Sequence, residues 1–188
     1  KKKKIAGLRI GGFAEEVNAS AEACRPIPQG MDFARAAAYP AAYLTAYVAL
    51  VCRGHLQPGE TLLVHGSTGG VGLAAVEMGK LLGATVIATS ASDEKLKVVK
   101  ARGADHVLNI NDGFKDKVKE LTGGKGADVI YDPVGGDVFD ESVRCIAWNG
   151  RLLVIGFTSG RIPSVPVNMP LIKGFSVVGV RAGEYGRR

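Results

Sequence analysis

The chain has 188 residues, of which 46% are hydrophobic and 22% charged, with a formal net charge of +6. That length and composition describe one globular domain with at most a fragment of another, and they argue against a disordered chain. Lys1, Lys2, Lys3 and Lys4 carry four of the excess charges and Arg187 and Arg188 two, so the interior is neutral. With aromatics at only 6%, the clustered basic and aromatic surface of a nucleic-acid binder is not expected.

The lysine run reads as a tag or a truncated end and carries no fold information. Residues 5–30 are mixed: Gly11-Gly12-Phe13-Ala14-Glu15-Glu16-Val17 reads as a short strand, and Pro26, Pro28 and Gly30 punctuate the stretch after it. Asp32 can cap a helix through Ala36-Ala37-Ala38. After Pro40 a second helical stretch is expected over 41–52, with Tyr43, Tyr47 and Leu50 at i, i+4, i+7.

From Thr61 onward strands and helices alternate. Strands are expected at 61–65, 84–89, 106–108, 127–132, 151–155 and 176–180; helices are expected up to Leu82, then over 93–101, 114–121 and 138–148. Continuous apolar strands joined by helical crossovers are the pattern of buried parallel neighbours. The fold class is therefore α/β, a doubly wound parallel sheet of about six strands. Pro163, Pro166 and Pro170 mark an extended connection before the last strand.

Cys24, Cys52 and Cys145 lie far apart, with no C-x-x-C pair and no histidine at ligand spacing. Buried free thiols are expected and a metal site is not. No apolar run reaches the roughly 18–20 residues of a spanning helix, so the expectation is a soluble, reducing, cytoplasmic setting without a membrane partner.

The segment His65-Gly66-Ser67-Thr68-Gly69-Gly70-Val71-Gly72 comes after the apolar run Thr61-Leu62-Leu63-Val64 and opens an alanine-rich helix. Measured against G-x-G-x-x-G, Ser67 stands at the first glycine position, while Gly69 and Gly72 fill the second and third. The second glycine allows close backbone approach to a pyrophosphate and the third allows close packing of helix on strand. The helix N-terminus then offers N–H groups and a dipole to the anion. Ser67, Gly69, Gly70, Val71 and Gly72 are thus candidate dinucleotide contacts.

A carboxylate at the end of the second strand would bind the ribose hydroxyls of NAD; here the chain reads Thr89-Ser90-Ala91-Ser92, with Lys95 after it. Ser90 and Ser92 can donate to a 2′-phosphate and Lys95 can supply charge, which favours NADP(H). Ser92 or Asp93 also suits as the cap of the next helix, a part compatible with binding. No G-x-x-x-x-G-K-[ST] occurs, and no tyrosine is followed by lysine four residues on, which argues against P-loop enzymes and short-chain reductases.

Taken together, Pro58-Gly59-Glu60, Gly69-Gly70-Val71-Gly72, Lys95, Arg102-Gly103-Ala104-Asp105, Thr122-Gly123-Gly124-Lys125-Gly126-Ala127-Asp128-Val129-Ile130-Tyr131-Asp132, Val134-Gly135-Gly136-Asp137-Val138-Phe139, Trp148-Asn149-Gly150-Arg151 and Val154-Ile155-Gly156-Phe157 resemble the medium-chain dehydrogenase/reductase superfamily in its zinc-independent quinone oxidoreductase branch. The resemblance implies a two-domain enzyme with a GroES-like catalytic domain before a Rossmann domain. Residues 1–31 would then be a remnant of the first and 32–188 the NADP-binding second. It implies that Thr45, of Thr45-Ala46-Tyr47, stands beside the nicotinamide and that Val134, Gly156 and Phe157 reach the cofactor; Phe157 serves equally well as ordinary packing. Many relatives place a tyrosine after the asparagine that ends the third strand, whereas here Asn109 is followed by Ile110.

The implied chemistry is hydride transfer from NADPH to a quinone or an enone. An enoyl reductase, including a polyketide or fatty acid synthase module, and a non-catalytic NADPH-binding module are the alternatives. No catalytic residue is visible; Asp132 beside Pro133 suits turn organisation better than acid catalysis. The apolar strand near 176–180 is an edge on which a homodimer would form.

Overall fold

The computed structural model describes residues 4–6 and 11–185. Lys1, Lys2 and Lys3 of the basic run, residues 7–10, and Arg187 with Arg188 lie outside the described residues. Along the sequence the chain divides into two compact units, one up to Ala42 and one from Tyr43.

In the first unit β1 (Lys4–Ala6) pairs antiparallel with β2 (Cys24–Pro26). The strand expected over 11–17 does not form: those residues are exposed turn and coil, and Gly11 sits at φ 90°. Two glycines followed by Phe13, Ala14 and two glutamates supply no alternating apolar face to bury.

Helix α1 (Phe33–Tyr47) runs unbroken through Pro40, where two helices were expected. Proline removes one donor, but the alanines at 36–38, 41 and 42 lose no side-chain entropy on either side of it. Asp32 does cap the first turn, accepting from Arg35 N at 2.7 Å. The helix widens into a π-helical stretch, Val48–Arg53, whose first three residues are buried.

The second unit is built on six parallel strands in the order β5-β4-β3-β6-β7-β8. These are β3 (Thr61–Val64), β4 (Thr85–Ser90), β5 (His106–Asn109), β6 (Ala127–Asp132), β7 (Ile146–Val154) and β8 (Ser176–Gly179). The chain starts at the centre, winds outward to β5, then crosses back to β6 and outward again. This is the dinucleotide-type order, and it leaves a crevice at the carboxyl ends of β3 and β6. The crossovers are α2 (Gly70–Leu81), α3 (Asp93–Ala101), α4 (Lys115–Leu121), α5 (Gly136–Cys145) and α6 (Asn168–Lys173); α7 (Ala182–Tyr185) comes after β8.

Leu63, Ile87, Ile130 and Leu152 pack with Phe114, Val118, Phe139 and Val143 in one core cluster. On α2, a Cβ on Gly79 would lie 2.5 Å from Leu62 and 3.1 Å from Val86, so that helix approaches the sheet as closely as glycine permits. Each fully buried aliphatic side chain here contributes roughly 1.5–3 kcal/mol. Charged side chains secure the structure around the start of β3: Arg151 pairs bidentately with Glu60 and donates to Gly54 O at 2.9 Å, while Asp128 accepts from the backbone N of Thr61.

Two expectations near the end of the chain change. The helix expected over 138–148 starts earlier and stops at Cys145, and residues 146–148 open β7. Asn149 at φ 59° and a register shift opposite Ala127 and Val129 bend that strand. The connection expected to be extended around Pro170 contains α6, which ends at Gly174 in the left-handed conformation.

Candidate cofactor site

Three loops meet at the carboxyl ends of β3, β6 and β7. Gly66, at φ 55°, turns the chain out of β3 in a conformation only glycine adopts cheaply. A Cβ there would lie 3.2 Å from Pro133 and 3.4 Å from Val134. Loop 133–135 therefore lies directly against the glycine turn.

The glycines of the turn separate by function. At Gly72 a Cβ would overlap the Gly66 carbonyl oxygen and lie 2.8 Å from Gly66 C and Ser67 Cα, so the helix-to-turn contact itself demands glycine. Gly69 caps α2 with ordinary extended angles, φ −84° and ψ 166°, and its Cβ would meet only Gly66 O, at 3.5 Å. Around Gly70 a Cβ would meet nothing within 4 Å. Neither backbone strain nor internal packing requires glycine at 69 and 70. The space they leave lies at the N-terminus of a twelve-residue helix, where N–H groups and dipole favour an anion. This cradle fits a pyrophosphate; Val71 is the next residue of the helix.

Ser67 does not face that space through its side chain. It is fully buried, and both its Oγ and its backbone N donate to Thr89 O, at 2.9 and 3.3 Å. His65 is also fully buried, with Nδ1 2.8 Å from Thr89 Oγ1, Nε2 2.8 Å from Ser142 Oγ, and its ring against Phe114. Burial pushes its pKa down to about 3, so the imidazole is neutral. Sequence reasoning gave His65 and Ser142 no part. The available signal was a polar residue closing an apolar strand just before a glycine turn.

Asp132 ends β6 and is 1% exposed; its Oδ1 accepts from Val134 N at 2.8 Å and Gly135 N at 2.9 Å. Burial raises its pKa, opposed by those two backbone donors. It organises the turn, as its place beside Pro133 suggested. Loop 133–136 in turn pairs with 158–161: Thr158 N donates to Pro133 O, Ser159 N to Val134 O and Gly136 N to Arg161 O. Phe157, about 40% exposed, lies against Gly135, and Gly156 stands beside Pro133 O. Val134 is half-buried over the glycine turn.

At the end of β4, Ser90 Oγ accepts from Ser92 N, and Ser92 Oγ caps α3 by accepting from Lys95 N at 3.4 Å. Ser92 thus takes the cap that Asp93 also suited. Asn109 donates to Asp93 Oδ1 at 2.9 Å and Asn111 Nδ2 donates to Ala91 O, bracing the segment from β5. Ile110, where relatives were expected to carry tyrosine, packs against the core cluster. Lys95 is exposed and lines a groove of about 220 Å³ with Thr68, Leu73, Val98 and Val99. Its neighbours Asp93 and Glu94 are acidic, so Lys95 and the N–H groups of the α3 N-terminus are the groups in that turn able to meet an anion. Thr45 is carried by a different element, α1, and is half-buried.

Residues 70–188 match the family model described as zinc-binding dehydrogenase. The chain belongs to that family. Its relatives place it in the medium-chain dehydrogenase/reductase superfamily, in the quinone oxidoreductase-like branch. It is 44% identical over 179 residues to a quinone oxidoreductase-like protein 2 homolog of Nematostella vectensis, covering 94% of this chain and 49% of that protein. A probable oxidoreductase from Mycobacterium abscessus superposes with a TM-score of 0.86 at 39% identity, over 99% of this chain and 56% of the other. The quinone oxidoreductase of Thermus thermophilus, whose structure is known also in complex with NADPH, gives a TM-score of 0.84 at 29% identity, over 100% of this chain and 59% of the other. The chain spans about half the length of these relatives. Among the described residues no three His, Cys, Asp or Glu side chains converge to hold a metal ion, and no helix is long and apolar enough to cross a membrane. The three cysteines are free thiols, as expected, but only Cys145 is buried; Cys24 and Cys52 are partly exposed, against the expectation that all three would be buried.

Proposed function

We propose that this chain is the NADPH-binding portion of an oxidoreductase that reduces a quinone or another conjugated carbonyl, by zinc-independent chemistry, in the cytoplasm. The observation that carries the reading is the cradle at Gly69 and Gly70, two glycines that nothing inside the protein requires, at the N-terminus of α2 beside the β3/β6 crevice. The NADPH complex of the Thermus thermophilus relative supports the choice of cofactor. Residues 1–31 are assigned to the tail of a GroES-like catalytic domain and 32–188 to the cofactor domain.

In this reading the backbone of Gly69, Gly70, Val71 and Gly72 holds the pyrophosphate. Ser90 and Lys95, with Ser92 at the α3 cap, hold the 2′-phosphate. Thr45, Val134, Gly156 and Phe157 line the nicotinamide end. When bound, NADPH supplies the hydride, while the chain's part is alignment and exclusion of water.

Fluorescence titration of NADPH and NADH tests the assignment on wild type, Ser90→Asp and Lys95→Ala. Wild type is expected to prefer NADPH and each substitution to reduce that preference. An unchanged ratio in both variants would overturn the 2′-phosphate assignment. In parallel, the 188-residue chain is expected to reduce quinones and enones only slowly, because the relatives devote the other half of their length to the rest of the enzyme; brisk turnover would contradict this.

A further inference from the structure

The polar side chains buried beneath the glycine turn take no part in the proposed cofactor contacts, yet they join the two segments that do. Thr89 immediately precedes Ser90. Its carbonyl receives both donors of Ser67, and its hydroxyl meets the ring of His65. The residue standing at the first glycine position of the turn is therefore bonded to the strand end that carries the 2′-phosphate residues.

The protons can be placed. Placing the single proton of Ser142 Oγ on the shorter of its two bonds, to Val138 O at 2.7 Å, makes Oγ the acceptor towards His65 and puts the ring proton on Nε2. Burial keeps the imidazole neutral, which leaves Nδ1 bare. Thr89 Oγ1 then donates to Nδ1 at 2.8 Å in preference to Val64 O at 3.4 Å. The hydroxyls of Ser67, Thr89 and Ser142 and both ring nitrogens of His65 are satisfied, so a directed chain of hydrogen bonds runs from β4 through His65, just past the end of β3, to α5.

We infer that Thr89, gripped by Ser67 and His65, is a positioning residue that sets the separation between the glycine turn and residues 90–92 and so determines how strongly NADPH is preferred over NADH. The inference rests on the NADPH reading above. NADPH needs both anchors at the correct spacing, whereas NADH needs only the turn. Loosening the link costs NADPH more, although none of these side chains faces the cofactor. Ser67 is in this view the reason the first glycine is dispensable here: its hydroxyl supplies a link that glycine lacks.

The test measures NADPH and NADH dissociation constants by fluorescence for wild type, Thr89→Val, Thr89→Ser and Ser67→Ala. The NADPH:NADH preference is expected to fall about five- to tenfold in Thr89→Val, less in Ser67→Ala, and to be restored in Thr89→Ser, which keeps the hydroxyl. Equal loss of both affinities, with the ratio unchanged, would reduce Thr89 to a stability role and overturn the inference. Long-range ¹H–¹⁵N correlation of His65 in the cofactor-free chain supplies an independent readout. Nε2 is expected protonated and Nδ1 bare, with Nδ1 shifting in Thr89→Val; an Nδ1–H tautomer would overturn the hydrogen-bond chain. A wild type without NADPH preference defeats the underlying reading instead, and is distinguished by the unchanged tautomer.

Discussion

Substituting alanine at Gly72 and at Gly69 separates packing from binding within one turn. At Gly72 the added methyl would overlap the Gly66 carbonyl oxygen and press on Gly66 C and Ser67 Cα at 2.8 Å. All three are backbone atoms, so no side chain can swing away, and the turn itself must move. Overpacking of this kind costs about 1–3 kcal/mol, and the gain of up to about 1 kcal/mol from alanine in a helix does not offset the upper part of that range. A net loss of about 2 kcal/mol lowers the melting temperature of a chain this size by about 4–8 °C. At Gly69 the methyl clears its nearest neighbour at 3.5 Å, and only the cap preference is lost, about 1 kcal/mol. That methyl enters the anion cradle, however, and NADPH affinity should fall more than about tenfold, or about 1.4 kcal/mol. Thermal melting followed by circular dichroism, with NADPH titration on the same samples, reads both effects. Unchanged NADPH affinity in Gly69→Ala would refute the cradle, and an unchanged melting temperature in Gly72→Ala would refute the packing argument.

Two further outcomes are expected from the structure. His65 is neutral when folded, with its pKa lowered from the ordinary 6.5 to about 3, so the unfolded chain takes up a proton that the folded chain refuses. Its stabilising contribution is complete above pH 6.5 and declines below it, by about 1 kcal/mol per pH unit until the folded pKa is reached. Urea unfolding at pH 7 and pH 5 should show a larger loss for wild type than for His65→Gln, and equal losses would contradict burial of a neutral imidazole. We also propose a homodimer across β8, one of the two edge strands of the sheet, where Val177 is exposed. Sedimentation should show a dimer for wild type and a weaker one for Val177→Lys, whereas a wild-type monomer would argue against it.

The sheet was legible in the sequence because its strands are continuous apolar runs separated by helices, and β6 and α3 fall at the expected boundaries. The misreading at 146–148 has a physical cause. Cys145, Ile146 and Ala147 are all buried, and a short buried run does not distinguish helix from strand. The start of α4 was placed within a residue, but its cap was invisible: Glu141 on α5 accepts from Phe114 N and Lys115 N, at 2.7 and 2.8 Å, a partner distant in sequence. In the site, the open glycines were readable from their spacing. The position of Ser67 in the motif is visible in sequence and points to the cofactor, whereas the Thr89 carbonyl that takes its hydroxyl is not visible there.

The pairing of loop 133–136 with residues 158–161 bears on any attempt to redesign the crevice. Pro133, Val134 and Arg161 each give a carbonyl to the opposite segment, and Thr158 Oγ1 adds a second bond to Pro133 O. Arg161 further clamps Asp137 and Asp140 at the start of α5. A loop grafted from a homologue at 133–136 alone would arrive without its complementary backbone partners. Rebuilding this side of the crevice therefore calls for transplanting the two segments as one cassette, with Arg161 and its carboxylates included.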